Sequence, residues 1–336
     1  MNVVYSSSDS YSMLCGISLL SLLENNKEVK DIRIFIINND ISESNIRNLD
    51  SIAKRYGREI TYIPKVDLEK LAGTKIYVGQ WNIGTFFRLF LGNILPLSVE
   101  KVMYFDCDTI IRHNLSELYE LNLGDCIVAG ADDCRSDNYR KEIGLDHGDT
   151  YINNGFLLID LQKWRLLGLD KEFLSFISEH HGDITYMDQG VLNAILGKKK
   201  LIHELPPKYN AQRIFFDFSF DEIMKLRKPE HHCTEQEYQE AVTDPMIVHF
   251  TPTFITGTRP WNTNDHHKFT PEFLHYKALS PWVSSPLSKD GRKLKKRMAT
   301  KVCRMLPRKM MIHQVSFLHV TVYPFLRSQK DKKKKI

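Results

Sequence analysis

The chain has 336 residues, 42% of them hydrophobic and 26% charged, with a formal net charge of +5. That much apolar material excludes a disordered chain and suffices for one large domain with appendages. The charge is uneven: residues 285–336 carry 16 Lys and Arg against Asp290 and Asp331, a tail of +14, which leaves −9 on the preceding part (30 basic, 39 acidic). An acidic body without a second basic patch argues against nucleic-acid binding, and the tail calls for an anionic surface as its own partner.

The cysteines Cys15, Cys107, Cys126, Cys134, Cys233 and Cys303 show no C-x-x-C spacing and lie in or beside predicted core elements, which reads as reduced thiols and a cytosolic setting. The N-terminus enters a strand without a basic region or long apolar segment, against a signal peptide. Residues 1–5 are that strand, 6–10 a small polar loop, and 11–24 an amphipathic helix that buries Leu14, Ile17, Leu20, Leu22 and Leu23. A second strand spans 31–37, Ser42 caps a helix carrying Ile46, Leu49, Ile52 and Ala53, and a third strand spans 59–63. This alternation specifies right-handed crossovers, a doubly wound parallel sheet, and ligands at the carboxyl ends of its strands.

Residues 83–91, IGTFFRLFL, read as a helix apolar almost all round, so Arg88 needs a partner: a buried salt bridge, or an acidic or phosphate site. In residues 101–113, KVMYFDCDTIIRH, an apolar strand stops on Asp106 and Asp108. Carboxylates at i and i+2 on extended backbone point to one side, offering hard oxygens to a divalent cation and a phosphate, although Asp-x-Asp is also a common loop pair. The buried strand 127–130 likewise ends on acids, Asp132 and Asp133. Asn153, Asn154 and Gly155 precede the apolar run 156–159, as a plain turn or as a grip on hydroxyls. Helices follow at 161–167, 171–181 and 189–196, with Asp188 at the start of the last as a site residue or an N-cap.

Beyond Pro206 and Pro207 the order weakens, but 246–248 is a short strand ending on His249, followed by a loop to Arg259, Pro260 and Trp261. From residue 288 the chain turns basic, with Leu294, Met298, Val302 and Met305 on one helical face. Residues 310–326 are uncharged but, at 17 residues, fall short of the ~20 that span a bilayer. The expectation is a helix in the membrane interface, with Phe317, Leu318, Tyr323 and Phe325 inserted and the lysines on anionic lipid; the alternative is a solvated charged tail.

Two enzyme classes use such acids. A haloacid-dehalogenase-type phosphatase would make Asp106 in DCDTI a nucleophile and use Gly182, Asp183 and Asp188 as its second motif, yet here three β-α units come first and Gly182-Asp183 follows a helix. The other resemblance covers most of residues 1–262. SSSDSYSMLCGISLLSLLEN, Arg88 in FFRLFLGNILP, YFDCDTIIRHNLSELY, Asp132, INNGFLLIDLQKWR, Asp188-Gln189, and His249 with Arg259-Pro260-Trp261 match in order and spacing. With these motifs the chain resembles the family 8 glycosyltransferases, the group containing bacterial lipopolysaccharide galactosyl- and glucosyltransferases and glycogenin.

The resemblance implies a GT-A fold, an α/β Rossmann-like and mostly parallel sheet with flanking helices over residues 1–285, followed by a basic amphipathic tail, 286–336. It implies a UDP-hexose donor, galactose or glucose, and a divalent cation held by Asp106, Asp108 and His249. Mn²⁺ suits an imidazole among oxygens, with Mg²⁺ as the alternative. Ser6, Ser8 and Tyr11 fall at uracil and ribose; Arg88, Asp132, Asn153, Asn154, Gly155, Asp188 and Gln189 fall around the donor sugar; Cys107, Gly257 and Arg259 complete the donor contacts. The chain departs from the family at Ser8 and Ser10, where Asp and Asn are usual, and in its longer loop after His249, where Arg259 replaces a lysine.

The family retains anomeric configuration. With the amide Gln189 where a carboxylate nucleophile would sit, the expected route is front-face attack with Asp188 orienting the sugar. The expected acceptor is a glycan or glycolipid at the inner face of the cell membrane, in polysaccharide, lipopolysaccharide or glycoprotein-glycan synthesis, and a protein-linked glycan is the second choice. A non-catalytic nucleotide-sugar binder would lack a metal ligand or Asp188, and all are present.

Overall fold

The computed structural model describes residues 1–76, 83–255 and 257–327; the end of the expected tail, 328–336, lies outside the described residues. The strands are β1 (Asn2–Ser8), β2 (Arg33–Asn39), β3 (Ile60–Pro64), β4 (Lys101–Phe105), β5 (Thr109–Ile111), β6 (Val128–Ala131), β7 (Phe156–Asp160), β8 (Ile202–Leu205), β9 (Ala211–Gln212) and β10 (Ile247–His249). A seven-stranded sheet has the order β3-β2-β1-β4-β7-β6-β8, and β5-β10-β9 form a small second sheet.

The apolar run of β4 sits between β1 and β7 with Val102, Met103, Tyr104 and Phe105 all buried, as a strand covered on both faces requires. Side chains alternate between two cores. Val3, Tyr5, Met103 and Phe105 pack with the helix Ser12–Asn25, whereas Val4, Val102 and Tyr104 face Trp164 and Phe173 on the other side. Ser42 caps the helix Glu43–Arg55 by accepting from the Asn45 amide.

Local expectations shift in three places. β1 continues through the serines expected to form a loop, because β2 extends the ladder with Ser6 opposite Ile37 and Ser8 opposite Asn39. The segment expected as one helix at 83–91 is a 3₁₀ helix, Ile83–Phe90, running into a short α-turn, Leu91–Ile94. The sheet is parallel except at β7, which runs antiparallel to both β4 and β6. That reversal brings the start of β7, and the Asn153-Asn154-Gly155 turn before it, to the carboxyl ends of β4 and β6.

The helices Leu294–Met305 and Arg308–Phe317 are followed by a π-helical turn, Leu318–Val322. Met311, Ile312 and Val315 are buried with Ile223 and Leu226, and Arg308 pairs with Glu222 at 2.7 Å. The stretch 310–326 therefore docks in part on the body, while Phe317, Leu318, Tyr323 and Phe325 stay exposed. A sequence pattern cannot tell a stripe that packs on protein from one that packs on lipid, since both are apolar at helical spacing. No helix among the described residues is long and apolar enough to cross a membrane. All six cysteines are free thiols.

Candidate active site

A cleft of about 950 Å³ opens where β1, β4 and β6 end and β7 begins. Strand register assembles its centre. Phe105 pairs with Phe156, so the Asp106 amide donates to the Gly155 carbonyl at 2.8 Å. β10 pairs with β5 with His249 opposite Thr109, and the Phe250 amide donates to the Asp108 carbonyl at 2.9 Å. A histidine far along the chain thus reaches both acids through backbone pairing.

His249 Nε2 lies 3.2 Å from Asp108 Oδ1 and 3.8 Å from Asp106 Oδ2. The second oxygen of each acid is held by an arginine, Asp106 Oδ1 by Arg88 Nη2 at 2.7 Å and Asp108 Oδ2 by Arg259 Nη1 at 3.2 Å. Donor atoms of Asp106, Asp108 and His249 all lie within 4.8 Å of one another. His249 Nδ1 is 3.0 Å from Asn210 Oδ1, and an Nδ1–H donated there leaves the Nε2 lone pair facing the acids. Two carboxylates and one imidazole fit a divalent cation.

Burial acts to raise Asp108, but the His249 imidazole and the Arg259 guanidinium outweigh it and hold the carboxyl below its usual range. Burial acts to lower His249, and the two aspartates more than offset it. Gly155 is required by contact: a Cβ there would stand 2.1 Å from His249 Cε1.

Arg88 is only 4% exposed, and both of its expected partnerships coexist. It bridges Asp106 and Asp188, with Nε 3.0 Å from Asp188 Oδ2, and lies over the Tyr104 ring at 4.5 Å. Asp188 does not cap its helix, Met187–Leu196, but sits in the first turn. Tyr186 and Met187 just before it are both left-handed, with φ 61° and 53°, a conformation costing non-glycine residues about 1 kcal/mol or more each. They turn Asp188 and Gln189 into the cleft. Burial raises the Asp188 carboxyl, with Arg88 opposing, and Asn154 Nδ2 donates to it at 3.2 Å.

The Gln189 amide nitrogen donates to Asp133 at 2.7 Å and to the Tyr151 hydroxyl at 2.9 Å, which fixes its oxygen toward Asn153 Nδ2 at 3.2 Å. Asn153 Oδ1 in turn accepts from Asn210 Nδ2 at 2.9 Å. A continuous polar chain therefore runs Gln189–Asn153–Asn210–His249.

At the end of β1, Ser6, Ser8 and Tyr11 line the cleft. The Ser6 hydroxyl donates to the Gly84 carbonyl at 3.0 Å, and Ser8 meets Ser10 at 3.2 Å. Cys107 faces back to the Ser6 carbonyl at 3.2 Å; hydrogen bonding with Cys15 and burial keep its thiol protonated. Asp132 lines the cleft while its Oδ2 pairs with His232 Nδ1 at 2.6 Å and accepts from the Cys134 amide at 2.8 Å. Gly257 alone among the expected contacts does not line the cleft. A Cβ there would meet Arg292 Nε at 2.1 Å, so the glycine admits that guanidinium, which pairs with Asp290 at 2.9 Å.

Asn210, Tyr151, Arg135, Arg227, Tyr323 and Arg327 also belong to this network or line the cleft and were not expected. Asn210 lies where the pattern fades after Pro206-Pro207, and the others carry no local motif. Asp183, proposed for a phosphatase motif, follows the helix Leu169–Glu179 and pairs with Arg327.

Residues 2–265 match the sequence model of glycosyl transferase family 8. The chain is 26% identical over 285 residues to General stress protein A of Bacillus subtilis (strain 168), covering 84% of this chain and 94% of that protein. It is 26% identical over 291 residues to Lipopolysaccharide 1,2-glucosyltransferase of Escherichia coli (strain K12), covering 84% and 79%. The structure resembles that of the galactosyltransferase LgtC in complex with donor and acceptor sugar analogs, with a TM-score of 0.69 at 23% identity over 89% of this chain and 100% of that one. The fold is the expected GT-A fold. The matched region contains both clustered acids, the Asn-Asn-Gly turn, Asp188-Gln189 and His249, and the chain belongs to glycosyl transferase family 8.

Proposed function

We propose that this glycosyltransferase moves a hexose, galactose or glucose, from a UDP-sugar to a glycan acceptor with retention of configuration and with the help of a divalent cation. The observation that carries this reading is the Asp106–Asp108–His249 cluster facing, within one cleft, a buried Asp188 and a Gln189 tethered at both ends of its amide. Asp106, Asp108 and His249 would hold Mn²⁺, or Mg²⁺ in its stead, and such an ion supplies positive charge against a leaving diphosphate.

The side chains do the rest. Arg88 and Arg259 hold one oxygen of each acid and so orient them, and Arg259 offers its remaining donors to the diphosphate. Ser6, Ser8 and Tyr11 receive uracil and ribose; Asp132, Asn153, Asn154, Gly155 and Asp188 grip the sugar. The C1–O bond to UDP breaks, the acceptor oxygen bonds to C1 on the same face, and the acceptor proton passes to the departing diphosphate oxygen. A neutral amide is a poor nucleophile, and the Gln189 oxygen serves the positive centre as a fixed dipole.

UDP release from a panel of UDP-sugars with and without Mn²⁺ tests this. Metal-dependent release from UDP-galactose or UDP-glucose is expected, and Asp108→Asn should abolish transfer even at saturating Mn²⁺. Phosphate release from a generic phosphoester without UDP would favour the phosphatase reading instead.

The tail, residues 286–336, is proposed to rest on the anionic inner face of the cell membrane. Leu294, Met298, Val302 and Met305 are 58% to 77% exposed, in a helix that also bears Lys295, Lys296, Arg297, Lys301 and Arg304. An acceptor presented there would be a glycolipid or lipid-linked glycan, with a protein-linked glycan as the second choice.

A further inference from the structure

Outward from Gln189 three guanidiniums, Arg135, Arg227 and Arg327, line the cleft. Asp133, which accepts from Gln189 at 2.7 Å, pairs with Arg135 at 3.0 Å, and the Arg135 guanidinium lies 4.4 Å from the centroid of the Tyr186 ring. Next comes Arg227, the last residue of the helix Phe220–Arg227, which also lines the cleft. Among the described residues the Arg227 side chain has neither a hydrogen bond nor an ion pair. Burial and the nearby Arg135 guanidinium lower it from the ordinary arginine value, and Asp133, already paired with Arg135, only partly offsets them.

The segment around 319–327 adds to this wall. Tyr323 and Arg327 line the cleft, and Arg327 pairs with Asp183 at 2.7 Å. Asn138 Nδ2 donates to the Val320 carbonyl at 2.6 Å, and His319 lies 3.5 Å from the Tyr139 hydroxyl, so the segment is tied down on this side. Of the carboxylates here, Asp133 serves Arg135, Asp183 serves Arg327, and Glu142 accepts from the Thr185 hydroxyl at 3.0 Å. Arg227 is the guanidinium left for a ligand.

The donor diphosphate does not account for it. That charge belongs at Asp106, Asp108, His249 and Arg259, and the chain of contacts outward from His249 runs through Asn210, Asn153, Gln189 and Asp133 to Arg135, whose charge Arg227 feels. Accepting the proposed sugar transfer, we infer that the acceptor is an anionic sugar, whose carboxylate or phosphate is held by Arg227 in a subsite walled by Tyr323 and Arg327. The planar guanidinium offers paired donors to either anion, and the Tyr323 ring offers an apolar face to the sugar.

The test is equilibrium binding by calorimetry to the full chain with UDP and Mn²⁺ present. Methyl glucuronide and glucose 6-phosphate are each compared with methyl glucoside. At least one charged sugar should bind about ten-fold tighter or more, a charge-assisted hydrogen bond's worth, with the gap narrowing as salt rises. The two arms identify the anion as carboxylate or phosphate. In Arg227→Gln the affinities should converge, while Arg227→Lys keeps part of the gap. Equal affinities in the unaltered protein overturn the subsite, as does a preference that survives Arg227→Gln. Tighter binding of UDP-glucuronate than UDP-glucose, with no preference among the free sugars, would assign Arg227 to the donor and overturn the acceptor assignment. UDP release from UDP-galactose or UDP-glucose without any glycoside is a separate readout of transferase chemistry, so failure of that reading and failure of the subsite are distinguishable.

Discussion

His249 uses one ring nitrogen toward Asp108 at 3.2 Å and the other toward Asn210 at 3.0 Å. The second contact decides the first. With Nδ1–H engaged by the amide oxygen, Nε2 is the free lone pair, and a partner of this kind typically accounts for 10–100-fold in metal affinity. Asn210→Ala should therefore raise the Mn²⁺ concentration for half-maximal UDP release about 10–100-fold while turnover at saturating metal changes little. An unchanged Mn²⁺ titration in a folded variant would reduce Asn210 to packing. The same contrast of amide and acid distinguishes Gln189 from its neighbour: Asp188 is buried against Arg88, whereas Gln189 carries no charge and both ends of its amide are bonded.

At the scale of elements, the reversed β7 and the β5–β10 pair gather the site, because each converts separation along the chain into adjacency through backbone hydrogen bonds. The helix Leu294–Met305 is arranged differently. Thr300 and Arg304 face the body, donating to the carbonyls of Phe254 at 3.1 Å and Ile255 at 2.8 Å, while its apolar row faces outward. Replacing Leu294, Met298, Val302 and Met305 together by serine should reduce binding to phosphatidylglycerol-containing vesicles by about ten-fold or more, since each buried side chain contributes roughly 1.5–3 kcal/mol. UDP release in solution should persist, because none of the four lines the cleft. Undiminished co-sedimentation with vesicles would remove the membrane role from this row.

For the molecule as a whole, acid sensitivity follows from a histidine outside the site. His267 is enclosed by Phe216, Phe250 and Phe269, and its Nδ1 accepts from the Phe269 amide at 3.1 Å. Burial and Arg213 push it down to about 3. Its folded value is thus below its unfolded one, so the unfolded chain takes up a proton first as pH falls. Its contribution is full above about pH 6.5 and is lost progressively toward pH 3, at up to about 1.4 kcal/mol per pH unit. Urea unfolding at pH 7, 6 and 5 should show that decline, and His267→Gln should flatten it. Equal slopes in both proteins would mean that His267 is not held neutral in solution.

Most of the sheet and much of the site were legible from the sequence. Buried strands announce themselves as short apolar runs, and acids at their ends mark where a ligand meets a parallel sheet. Val102 to Asp108 and the turn before Phe156 are local patterns of this kind, and an ordered set of such motifs carried the family. The tertiary structure decided what local patterns cannot encode. β7 runs against its neighbours, Asn210 reaches His249, Gly257 shelters Arg292 instead of lining the cleft, and Met311, Ile312 and Val315 dock on protein. It also decided that Tyr323 and Arg327 line the cleft and that the Arg227 side chain there has no ion pair among the described residues. Each depends on which distant surface a residue meets, and that is set by packing and strand register, beyond the reach of periodicity.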